Sequence, residues 1–150
     1  MVCKDDRILL GMKKAGFGVG RWNGFGGKVE EGETIEAAAL RELREEVGIE
    51  AKDMKKVGVL DFTFAEDPKV LEVHIFKATD YSGEPAESNE MRPEWFTFDS
   101  IPYSQMWPDD EQWLPLVLEG KSFTGAFHFD RPSDADYCSK ILEHKLELLP

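Results

Sequence analysis

Gly27-Lys28-Val29-Glu30-Glu31-Gly32-Glu33, seven further residues, then Arg41-Glu42-Leu43-Arg44-Glu45-Glu46-Val47-Gly48-Ile49 form the stretch on which the reading of this chain turns. Its second half predicts a helix over residues 34–47. Ala37-Ala38-Ala39-Leu40 is strongly helix-forming, Thr34 can cap the start, Glu36 suits the first turn and Gly48 suits the stop. On that helix Glu42 and Glu45 are i, i+3 and Glu42 and Glu46 are i, i+4, so three carboxylates share one face. Like charges so placed repel, and they make sense together around a hard divalent cation such as Mg²⁺, which takes a few carboxylates plus substrate phosphates. Taken alone, the Arg-Glu-x-x-Glu-Glu run favours a plainer reading, a solvated acidic face on which Arg41 and Arg44 form ordinary ion pairs.

Working outward, Arg7–Met12 reads as a strand, and Lys13–Gly27 carries Gly16, Gly18, Gly20, Gly24, Gly26 and Gly27, the mark of a turn-rich loop. No G-x-G-x-x-G or G-x-x-x-x-G-K-[ST] can be read from it, which excludes dinucleotide-fold and P-loop assignments. Beyond the helix, Val57–Phe64, Val70–Thr79, Glu94–Phe98 and Lys121–Phe129 are predicted strands. Asp109–Leu118 is a short helix with Pro108 ahead of it and Gly120 behind. The segment 136–149 is ambiguous: Cys138, Leu142, Leu146 and Leu149 have helical spacing, while Leu146 and Leu148 also fit a strand.

The chain has 150 residues, 18 Lys+Arg against 30 Asp+Glu and a net charge of −12. This length suits one domain, residues 1–150, with a real core. Its acidity should repel DNA and anionic membranes, so no nucleic-acid polymer or membrane partner is expected, and a phosphate-bearing ligand needs local cations. No apolar run reaches the roughly 18 residues of a membrane span, and the residues before Arg7 do not read as a secretory signal. Cys3 and Cys138 are too few for a disulfide framework, which makes a reducing cytoplasm the expected compartment, with nucleus or mitochondrion as further sites. His74, His128 and His144 show no metal-ligand spacing.

Residues 27–49 match every fixed position of Gly-x5-Glu-x7-Arg-Glu-U-x-Glu-Glu-x-Gly-U, where U is a bulky aliphatic residue. By this match the chain resembles the Nudix hydrolases, which cleave nucleoside diphosphates linked to another group. The resemblance implies an α+β fold, a mixed β-sheet sandwiched between α-helices, and strand structure for the ambiguous C-terminal segment. It implies Mg²⁺ held by the Gly27 carbonyl, Glu42, Glu45 and Glu46, with Glu90 as an additional acid from outside the box. Glu90 by itself reads equally as a solvated charge. Arg41 paired with Glu33 would support the ligands, and Lys28 would meet phosphate. A carboxylate, Glu46 in preference to Glu45, would accept the proton of the attacking water.

Further stretches, Gly11-Met12-Lys13-Lys14, Gly16-Phe17-Gly18, Arg21-Trp22-Asn23-Gly24-Phe25-Gly26-Gly27-Lys28-Val29, Glu90-Met91-Arg92-Pro93 and Met106-Trp107-Pro108-Asp109-Asp110, resemble the branch of the family that clears oxidised purine nucleoside triphosphates. The resemblance implies a monomer that converts such substrates, 8-oxo-dGTP and 2-hydroxy-dATP, to monophosphates and pyrophosphate. Trp107 offers a plane for a base, with Phe17, Phe62 and Phe64 as the opposite wall; for each aromatic singly, core packing is the plainer reading. Met91 and Leu71, the latter where relatives carry Met, would complete the lining. Trp22, Trp95 and Trp113 are assigned to the core or its rim. Asn23 supplies a donor and an acceptor, while adjacent Asp109 and Asp110, sharing a proton, would accept from one oxidised purine and donate to another. As a pair after Pro108 they read equally as a helix N-terminus. The rivals are a Nudix hydrolase of another nucleotide-linked substrate and a catalytically silent nucleotide-sensing module.

Overall fold

The computed structural model describes residues 1–16, 18–131 and 139–150. Phe17 and Cys138, both singled out above, lie outside the described residues. The chain forms two compact units: residues 1–55 with 76–101, and residues 56–75 with 102–150.

In the first unit, β1 (Val2–Lys4) and β2 (Arg7–Lys13) form a hairpin with Lys4 opposite Arg7. Asp5 and Asp6 make its two-residue turn, both at positive φ (53° and 61°), where the turn usually takes Asn-Gly. β2 also pairs with β3 (Trp22–Asn23) and with β8 (Met91–Thr97), all antiparallel. The helix α1 (Ile35–Val47) begins and ends where its local chemistry directs. The Thr34 side chain accepts from the Ala37 N–H, and Gly48 closes it at φ 76°. Leu43 and Val47 of α1 pack with Val2, Leu9, Ile49 and Ala78, and this apolar seam fixes the helix on the sheet. β4 (Glu50–Ala51) and β7 (Tyr81–Ser82) form a small antiparallel pair.

The second unit carries β5 (Lys55–Phe64) and β6 (Asp67–Lys77) apart from their end residues 55 and 76–77, a 3₁₀ turn at Tyr103–Gln105, α2 (Asp110–Leu118), β9 (Phe123–Phe129) and β10 (Ile141–Leu148). Strand order is β10-β9-β5-β6, with β5 parallel to β9 and β10 antiparallel to it, so this sheet is mixed. The strands are thus divided among separate sheets, and the mixed one belongs to the second unit. Phe62 lies opposite Phe127 and Phe64 opposite Phe129, which lines one face with aromatic rings. Gly125 keeps that face closed, since a Cβ there would sit 2.6 Å from Leu146. The C-terminal segment is a strand from Ile141, and its helical spacing does not govern. A register irregularity between Ile141 and Glu143 breaks the alternation that would otherwise mark it as β. β6 begins at Asp67, ahead of the expected Val70, because Glu66 takes positive φ (63°) and turns the chain tightly.

Candidate active site

The three helical carboxylates stand in different surroundings. Glu46 is buried at 3% exposure, and its Oε1 accepts from the Gly26 N–H at 2.9 Å. Burial pushes its carboxyl up to about 7, opposed by that hydrogen bond and by Lys13, while the charges of Glu42 and Glu90 push the same way as burial. Glu42 is half-buried against the loop: a Cβ on Gly27 would sit 2.6 Å from its Oε1. Only glycine lets the loop backbone approach this carboxylate so closely. Glu45 is more open, at 59% side-chain exposure.

Arg41 organises the rest. Its Nε and Nη2 donate to the two Glu33 oxygens at 2.7 and 3.0 Å, a bidentate pair, and Nη2 also reaches the Lys28 carbonyl at 3.1 Å. Nη1 donates to Glu42 at 2.8 Å and Glu45 at 3.2 Å. The guanidinium holds Glu33 down at about 2. Glu33 also accepts from the Glu30 N–H at 2.9 Å, tying the loop to the helix. Lys28 contributes its carbonyl to this clasp and leaves its ammonium exposed. Lys13 Nζ lies 3.8 Å from Glu90, and both bear on Glu46. In the sequence Lys13 carries only resemblance, within Gly11-Met12-Lys13-Lys14, and no site role. Its position in β2, opposite Met91 beside Glu90, brings it there.

Among the described residues no three acidic, cysteine or histidine side chains already converge as a finished metal cage, and Arg41 draws Glu42 and Glu45 to itself. The donor set nevertheless fits a hard cation. Mutually repelling carboxylates, one of them buried, face a loop backbone whose glycine leaves no side chain in the way.

The remaining predicted residues divide between the units. In the first, Asn23 Oδ1 accepts from the Gly24 N–H at 2.8 Å, which orients its amide; Met91 is buried beside Gly11. In the second, Trp107 and Leu71 are half-buried. Phe62 stacks with Phe127 and Phe129 at 5.9 and 6.1 Å, and Phe64 with Phe129 at 5.8 Å. Asp109 and Asp110 are 4% and 2% exposed. Asp109 precedes α2 without capping it through its side chain. Instead Trp113 Nε1–H donates to Asp109 Oδ2 at 2.7 Å. Burial pushes the Asp109 carboxyl up, against that bond. Trp113 lies in the core, as the sequence predicts. Its i, i+4 spacing from Asp109 was the available signal for this second task.

A glycine loop closed on a carboxylate helix by an Arg–Glu clasp defines a class of phosphoanhydride hydrolases, and the NUDIX domain family model matches residues 1–117. The chain belongs to the Nudix family and is a hydrolase, of a family that works with a divalent metal. It is 53% identical over 147 residues to the oxidized purine nucleoside triphosphate hydrolase of Danio rerio, covering 98% of this chain and 90% of that one. To the protein of the same name in Mus musculus it is 55% identical over 129 residues, 86% of this chain and 83% of that one. Among solved structures it resembles the mutator MutT protein of Bacillus halodurans, at TM-score 0.83 and 30% identity, covering 98% of this chain and 94% of that one.

Proposed function

We propose that this chain is a Mg²⁺-dependent pyrophosphohydrolase that converts oxidised purine nucleoside triphosphates, 8-oxo-dGTP and 2-hydroxy-dATP among them, to monophosphates and pyrophosphate, so clearing damaged precursors before they reach DNA. The observation that carries the reaction is the buried Glu46 beside the Gly27–Glu42 contact. Glu42, Glu45, Glu46 and the Gly27 carbonyl would hold the cation, with Glu90 beside them. When bound, Mg²⁺ supplies charge neutralisation at the phosphates and Lewis acidity.

Hydrolysis joins a water oxygen to phosphorus, releases pyrophosphate and leaves one proton to be taken up. Glu46, buried and raised in proton affinity, would take it. Arg41 holds Glu42 and Glu45 in place and fixes the loop through the Lys28 carbonyl. The substrate reading is supported by the activity for which the two vertebrate relatives are named and by two buried acids, one of them pinned by Trp113. With one proton between them, Asp109 and Asp110 present an acceptor and a donor to a purine edge, while the Trp107 face, Phe62 and Phe64 offer stacking surface.

The test is pyrophosphate release from 8-oxo-dGTP, 2-hydroxy-dATP and dGTP, with and without Mg²⁺, and with Glu46→Gln as control. Fast turnover of the oxidised nucleotides and a dead variant are expected. Equal, slow turnover of all three would leave family membership standing and remove the substrate assignment.

A further inference from the structure

The face of the β1–β2 hairpin that enters the core with Val2 and Leu9 runs outward to a second, unassigned site. Tyr81 and Trp95 pack on the rim of that core, half-exposed, with ring centroids 6.0 Å apart. Past them stand Lys4 and Arg7, directly paired across the hairpin. Arg7 faces Thr97 and Leu9 faces Trp95, so Arg7 is the diagonal neighbour of the indole on the same face. Lys4, Asp5, Arg7, Tyr81 and Trp95 line an open groove of about 250 Å³. Lys4 Nζ lies 5.4 Å from the centre of the Tyr81 ring and 3.7 Å from Asp80, an exposed ion pair of the kind that is easily exchanged. Among the described residues the Arg7 guanidinium has neither an ion pair nor a hydrogen bond. The groove shares no residue with the carboxylate cluster or with the base-recognition set.

We propose that this groove is a second nucleotide site, taking a guanine-type nucleoside monophosphate. The two rings select a flat partner, because every base has a face on which aromatics stack. Arg7 offers a planar fork that matches phosphate, and Lys4 adds a mobile point charge beside it. Asp5 is acceptor-only when ionised, which suits the adjacent N–H donors of a guanine edge and not a second anion. At about 250 Å³ the open groove would seat part of such a nucleotide, the remainder standing in solvent.

The experiment follows the indole N–H resonance of Trp95 in the full chain by NMR, assigned with Trp95→Phe, in chelator so that the hydrolytic site carries no metal. The probes are guanosine monophosphate, guanosine and inorganic phosphate. The expected result is a saturable Trp95 shift with the monophosphate at millimolar concentrations or below, weakened about tenfold by Arg7→Gln and less by Lys4→Gln. Triphosphate turnover by Arg7→Gln should equal that of the parent. Three results would overturn the site: no saturable shift, a shift unchanged in Arg7→Gln, or the same shift from phosphate alone, which marks a bare anion patch.

Discussion

Without metal, Glu46 takes up a proton at about 7 because burial disfavours its charge and Glu42 and Glu90 oppose it further. An unfolded glutamate has lost that proton above about 4.5. Between those values the folded state binds more protons than the unfolded one, so stability falls as pH rises through this window. The penalty levels off above about pH 7, at up to about 3 kcal/mol. Glu46→Gln keeps the oxygen that accepts from Gly26 and removes the charge. In chelator it should match the parent at about pH 4.5 and melt several degrees higher at about pH 8, while losing roughly 10²–10⁴ in turnover. Parallel melting curves for the two proteins at both pH values would show that Glu46 carries no such penalty. Gly27→Ala acts from the loop side. Its Cβ, 2.6 Å from Glu42 Oε1, must displace a side chain that can move, so the fold should persist by circular dichroism. Isothermal titration should read divalent-metal affinity lower by about 10–100-fold. Unchanged affinity would separate the loop glycine from the metal.

Among the elements, the β1–β2 hairpin and α1 differ in how well their ends suit their sequence. Asp6 at φ 61° occupies a left-handed position that glycine fills without steric cost. Asp6→Gly should therefore raise stability by about 1 kcal/mol with activity unchanged, as urea unfolding would measure. A loss of stability would mean that the Asp6 side chain matters more than its backbone. Thr34→Ala should cost about 1 kcal/mol, the loss of the cap on the Ala37 N–H. The contrast explains what could be read in advance. The α1 helix was legible to within a residue because its caps, Ala run and carboxylate spacing are local. The hairpin was not, since its turn lacks glycine and β1 is three residues long. The bulge in β10 hid its alternation. In the candidate site, the spacing of Glu42, Glu45 and Glu46 was visible, but their unequal burial was not. The i, i+4 spacing of Asp109 and Trp113 permitted their bond, but not the conclusion that Asp109 makes it and leaves its helix uncapped by its side chain. Those depend on side-chain directions that only the folded backbone sets.

For the molecule as a whole, a net charge of −12 is a standing electrostatic load, part of it gathered at Glu42, Glu45, Glu46 and Glu90. Screening by monovalent salt relieves the diffuse part of that load. A divalent cation held by these carboxylates, as proposed, would relieve the local part as well, and because it would bind the folded chain its affinity would add directly to stability. At a hundred times the dissociation constant the gain is about 2.7 kcal/mol, or roughly 5–10 °C in melting temperature for a chain of this size. With Glu46 as a ligand, binding would require it to lose its proton, so the shift should be small at about pH 5 and grow through 7. Calorimetric scans with Mg²⁺, with chelator and with sodium chloride at matched ionic strength separate the two contributions. The expected pattern is a pH-dependent rise with Mg²⁺, reversed by chelator, mimicked poorly by sodium chloride and largely lost in Glu42→Gln. If sodium chloride reproduces the Mg²⁺ shift, or Glu42→Gln retains it in full, the carboxylates of α1 bear only the general charge of the chain and hold no ion of their own.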